Sequence, residues 1–105
     1  MLVLYQAEWC PYSHRVRMRL TELGLEWVAR PVSVNRAERD LMEAIAGTRS
    51  IPTLIDGETV VSDADEIIAH LERTYPEPPD AHLHAETLEQ REWPHWLGLH
   101  GSARA

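Results

Sequence analysis

The sequence has no lysine, only one cysteine and no long apolar run. A single cysteine cannot close an internal disulfide, so the fold is not stapled, and any thiol chemistry at Cys10 needs a second sulfur from another molecule. Without lysine, all side-chain cations other than histidine are ten arginines, set against 17 acidic residues for a formal charge of -7. That balance argues against a nucleic-acid partner, because phosphate binding is dominated by clustered Lys and Arg; Arg15, Arg17 and Arg19 make only a local cluster. No stretch approaches the roughly 20 apolar residues of a membrane span, and Met1-Leu2-Val3-Leu4 carries no basic leader. A cytoplasmic protein with no membrane association is expected. There is no internal repeat.

What is present is the composition of an ordinary folded protein, with 44% hydrophobic and 26% charged residues in 105, enough for one domain and one core. Residues 2–6 form a short apolar run suited to a buried strand. From Pro11 the spacing changes to Val16, Leu20 and Leu23, the period of a helix, which Gly24 ends. Residues 26–34, rich in Val and Trp but containing Pro31, read as a strand that must lie where a missing amide donor can be tolerated. Asn35 and Glu38 are spaced as a capping box for a helix carrying Leu41, Ala44 and Ile45 and closing at Gly47. Residues 53–55 and 59–61 flank the turn Asp56-Gly57 as a hairpin. Asp63 and Glu66 open a third helix that buries Ile67, Ile68 and Leu71 and stops before Pro76.

Strand, helix, strand, helix, hairpin, helix implies an α/β protein with a mixed four-stranded sheet, since a right-handed crossover makes the first two strands parallel and the hairpin adds antiparallel ones. This βαβαββα order is that of the thioredoxin-like fold. Residues 1–75 are assigned to this domain. Residues 76–105 are read as a Pro-rich linker (Pro76-Glu77-Pro78-Pro79) and a short C-terminal helical extension over about residues 82–93, using Leu83, Leu88, Trp93 and Trp96.

Cys10-Pro11-Tyr12-Ser13 stands where the first strand gives way to the first helix. A cysteine there meets free backbone amides and the positive end of the helix dipole, which favour the thiolate, while Pro11 suits the first helical turn. Arg15 is expected to add positive charge, and Glu8 to oppose it. His82, His84, His95 and His100 match no zinc-site spacing, so no metal is expected.

Three motifs carry a resemblance to the glutaredoxins and to the N-terminal domain of glutathione transferases over about residues 2–75. Trp9-Cys10-Pro11-Tyr12-Ser13 is similar to the glutaredoxin Cys-Pro-Tyr-Cys site, with Ser13 replacing the second cysteine. Gly47-Thr48-Arg49-Ser50-Ile51-Pro52-Thr53-Leu54 resembles the loop in which these families hold a cis proline beside the active cysteine. Asp63-Ala64-Asp65 aligns with the acidic-serine pair that holds the γ-glutamyl end of glutathione, with Ala64 where serine is usual. The resemblance implies that Cys10 is catalytic, that Ile51 and Pro52 offer backbone contacts to the ligand, and that Arg49 meets its terminal carboxylate. It also implies that Asp63, Ala64 and Asp65 lie at the ligand's other end.

The activity implied is that of a monothiol thiol-disulfide oxidoreductase acting on mixed disulfides, since Ser13 removes the resolving thiol. Its co-substrate would be glutathione or a similar low-molecular-weight thiol such as γ-glutamylcysteine, because Ala7 stands where glutaredoxins carry a lysine. No tightly bound cofactor is expected, and the partners are a small thiol and protein disulfides, acting with a monomer or weak dimer. Two alternatives stay open: a truncated glutathione transferase N-terminal-like domain, favoured by the phrase from Ile51 to Gly57, and a glutathione-dependent iron-sulfur carrier.

Overall fold

A computed structural model describes residues 1–79. The elements are β1 (Leu2–Gln6), α1 (Pro11–Glu22), β2 (Trp27–Pro31), α2 (Asp40–Ala46), β3 (Thr53–Asp56), β4 (Thr59–Ser62) and α3 (Ala64–Thr74), with a single 3-10 turn at Arg36–Glu38. The sheet order is β2-β1-β3-β4. β1 runs parallel to β2, with Leu2 opposite Trp27, and antiparallel to β3, with Leu4 opposite Leu54. β3 and β4 form the hairpin. This is the mixed sheet and thioredoxin-like topology expected from the order of patterns. The hairpin turn proper is Gly57-Glu58, because Asp56 still pairs with Thr59, and Gly57 takes a φ of 63° that a side chain disfavours.

The alternation of strand residues divides the sheet into two unequal faces. Leu2, Leu4 and Leu54 point to the side covered by α1 and α3, where they meet Val16, Leu20, Leu23, Ala64, Ile67 and Leu71 in one core cluster. Leu4, Leu20, Leu54, Ile67 and Leu71 are fully buried, each contributing about 1.5–3 kcal/mol by leaving water. β2 is an edge strand that is mostly exposed, so Pro31 at its end, whose ring nitrogen has no hydrogen to donate, interrupts nothing. Asp56 at the end of β3 accepts hydrogen bonds from Tyr75 Oη (2.9 Å) and pairs with His70 Nε2 (3.0 Å), tying the hairpin to the end of α3. Those contacts, His70 first, hold the Asp56 carboxyl below its usual value against the opposing effect of burial.

The second helical region departs from the expected pattern. Leu41 is 72% exposed and Ile45 51%, while the one buried residue of α2 is Met42. Asn35 Oδ1 accepts from the Ala37 amide at 3.0 Å, but Glu38 turns to the Ser33 hydroxyl instead of completing a capping box. The resulting turn is broken at Arg39, whose backbone leaves the helical region (φ -98°, ψ 37°). Its side chain is buried and donates to Ser33 O and Arg49 O at 2.9 and 2.8 Å. A seven-residue helix set by such side-chain ties does not need an apolar stripe.

Pro76 to Pro79 follow α3, and Glu77 lies 3.6 Å from Arg19 of α1. The expected helical extension over residues 82–93 and the histidines of the tail lie outside the described residues. None of the helices in the described residues is long and apolar enough to cross a membrane.

Candidate active site

Cys10 occupies the N-cap of α1 with an extended backbone, and Pro11 fills the first helical position. Its Sγ accepts the Ser13 amide at 3.4 Å, which satisfies one of the amides a helix start leaves open. Ser13 is fully buried, and its Oγ in turn accepts from the Ala7 amide at 3.4 Å. Burial raises the Cys10 pKa, but the Ser13 hydroxyl and amide, the Tyr12 amide and the charge of Arg17 outweigh it, so the thiol is more acidic than an ordinary cysteine.

Two details are set by the packing: how deeply Cys10 lies and which arginine stands beside it. The cysteine is 6% exposed rather than open, flanked by exposed Trp9 and Tyr12 at 58% and 60%. The nearby cation is Arg17 and not Arg15, which is drawn away into an ion pair with Asp65 at 2.6 Å. Arg17 is held by Gln6 Oε1 at 2.6 Å and Ala7 O at 3.3 Å, at the mouth of the same loop. It was legible in principle: seven residues, two helical turns, bring Arg17 back to the face that carries Cys10.

The Ile51-Pro52 peptide is cis, as the resemblance implies. Extending the β1–β3 pairing by one residue from Tyr5 and Thr53 sets Pro52 across from Gln6, where the chain turns toward Cys10. Pro52 O accepts from the Asp63 amide at 3.3 Å. The backbone N–H and C=O of Ile51 have no partner among the described residues, so both are available to a ligand with a peptide backbone. Asp63 sits at the start of α3 with φ 78° and its carboxylate makes no cap hydrogen bond. A non-glycine residue in that region costs on the order of 1–3 kcal/mol.

The remaining residues of the implied set are placed differently. Arg49 uses all five of its N–H groups within the protein: on Glu43 through Nε and Nη2, on Asp40 through Nη2, and on the carbonyls of Arg36 and Ala37 through Nη1. It has no spare donor for a ligand carboxylate and acts as a clasp on α2. Ala64 is 2% exposed and belongs to the core, and Asp65 is the partner of Arg15. The candidate site therefore gathers Cys10, Tyr12, Ser13 and Arg17 on one side, Ile51 and Pro52 on another, and Asp63 at the start of α3. Among the described residues no group of three or more His, Cys, Asp and Glu is placed to hold a metal ion.

Comparison with known proteins bears on this arrangement. The family model described as "Glutathione S-transferase, N-terminal domain" matches residues 4–79. Glutathione S-transferase Z2 of Arabidopsis thaliana is 36% identical over 84 residues, covering 71% of this chain and 38% of that protein. A stringent starvation protein A homolog of Coxiella burnetii is 32% identical over 79 residues, covering 75% and 37%. The chain thus spans less than half the length of these curated relatives. Among solved structures, human glutathione transferase theta-2, in complex with glutathione and an unknown ligand, superposes with a TM-score of 0.67 at 20% identity, covering 90% of this chain and 42% of that one. Fold, motif order and family model agree, and the chain belongs to the glutathione S-transferase N-terminal domain family.

Proposed function

We propose that the chain is the glutathione-binding domain of a glutathione transferase-like protein and that the ligand's sulfur lies against Cys10. The observation that carries this reading is the pairing of an acidified thiol at the start of α1 with the unpartnered backbone groups of Ile51 across the loop. A γ-glutamyl tripeptide has the matching parts: a peptide unit for Ile51, a thiol for Cys10, and an ammonium group for the free carboxylate of Asp63. The transferase relatives support glutathione over other small thiols. The open Ile51 amide and carbonyl favour an extended peptide.

Cysteine at this position supports disulfide chemistry beyond simple activation of a bound thiol. The Cys10 thiolate attacks the glutathione sulfur of a mixed disulfide; the Cys10–S bond forms as the protein–S bond breaks, and the departing thiolate takes a proton. A second glutathione thiolate then attacks that sulfur, glutathione disulfide leaves, and the Cys10 thiolate is restored. The nucleophile lacks a resolving neighbour, so the intermediate is a one-to-one adduct with glutathione.

The test is intact mass after incubation with glutathione disulfide or the γ-glutamylcysteine disulfide, followed by turnover of a glutathionylated peptide. A single glutathione adduct, preferred over γ-glutamylcysteine and absent in Cys10→Ser, is expected. Glutathione-dependent conjugation of an aryl halide that persists in Cys10→Ser, with no adduct in the wild type, would assign the site to conjugation and remove Cys10 from the chemistry.

A further inference from the structure

The side of the sheet away from the core holds a cavity. Tyr5, Val28 and Arg30 alternate onto that face, and with Arg39, Leu41 and Met42 they line a space of about 530 Å³ between β2 and α2. Its volume is that of a small-molecule site. Cys10, Ile51, Pro52 and Asp63 do not line it, so it is separate from the glutathione site.

Its chemistry is set by two arginines that lack carboxylate partners among the described residues, unlike Arg15, Arg17, Arg19 and Arg49. Arg39 is the more telling. It is 7% exposed, yet only its Nε and one Nη1 hydrogen are used, on the carbonyls of Ser33 and Arg49. A guanidinium has five N–H groups, so three donors and a full positive charge stay uncompensated in a buried position. Leaving a buried cation unpaired is costly. Glu38 is the acidic residue of the lining, but its Oε1 accepts the Ser33 hydroxyl at 2.8 Å and forms no ion pair with either arginine. Arg30 adds a second cation at the exposed side of the cavity.

We propose that this cavity binds a small carboxylic acid with an apolar chain or ring, its carboxylate received by the free donors of Arg39 with support from Arg30, and its apolar part lying against Val28, Leu41 and Met42. A planar guanidinium presents parallel donors that match a carboxylate. The mostly apolar walls favour one charge on an otherwise apolar molecule over a polyanion. The site does not depend on glutathione binding.

The experiment is amide NMR of the full chain titrated with 4-phenylbutyrate and, in parallel, with the neutral 4-phenylbutan-1-ol. Saturable shifts are expected at the amides of residues 28–30, 32 and 33 and at Arg39 Nε, with the acid binding at least about tenfold more tightly than the alcohol. Arg39→Gln should remove that preference. Because Arg39 also braces the β2–α2 connection, Leu41→Glu provides an independent check: Leu41 is 72% exposed, so the fold is kept, and the new negative charge weakens the acid by more than the alcohol, which loses only an apolar contact. Equal affinity for acid and alcohol, no saturable shift at millimolar acid, or shifts centred on Cys10 and Ile51 would each overturn the assignment. Glutathione adduct formation at Cys10, measured on the same samples, reports on the other site and is unchanged in both variants.

Discussion

At the scale of single residues, the acidity of Cys10 is a contest between burial and local donors, and the donors win. The thiol is therefore more acidic than an ordinary cysteine, and alkylation rate against pH should show a midpoint below that of a free cysteine measured in the same way. Ser13→Ala and Arg17→Gln should each move the midpoint up, because they remove the first lowering contact and the nearest charge. An unchanged midpoint in both variants would show that the helix amides alone set it. The sign for stability follows: the folded thiol is the stronger acid, so the thiolate stabilises the fold above the unfolded pKa, and that contribution is lost as pH falls through the folded pKa. Cys10 and Pro52 were legible because sequence order fixes them at a strand end and before a strand. The diversion of Arg15 was not, since nothing local in the sequence sets Asp65 of α3 beside it.

At the scale of elements, long periodic segments were readable and short ones were not. α1 and α3 bury Val16, Leu20, Ile67 and Leu71 as their spacing requires. α2 has seven residues, too few for a period to declare itself, and its apolar Leu41 and Ile45 face outward. What fixes it is Arg49, reaching Asp40, Glu43 and two carbonyls of the preceding turn. A residue assigned by resemblance to a ligand is thus occupied by its own chain. Arg49→Ala should speed amide exchange across residues 36–47 while leaving the Cys10 titration midpoint where it was. Loss of glutathione affinity with unchanged exchange would instead return Arg49 to the ligand.

At the scale of the whole molecule, the two faces of the sheet differ in kind. One carries the core cluster, drawn entirely among the described residues from β1, α1, β3 and α3 with Leu23 after α1. The other is only partly roofed by α2 and leaves Val28 and Val60 exposed at 39% and 45%. Because cooperativity follows the shared core, residues 1–79 should fold as a unit. We propose a boundary after Pro79 in place of Tyr75 on the strength of two contacts: Glu77 pairs with Arg19 at 3.6 Å, and a Cβ placed on Gly24 would lie 4.0 Å from the Pro78 ring. A chain ending at Pro79 should show a single urea transition, coincident by fluorescence and circular dichroism, and one ending at Tyr75 a lower midpoint with a similar slope. A non-cooperative transition in the 1–79 chain would mean that residues 80–105 complete the core.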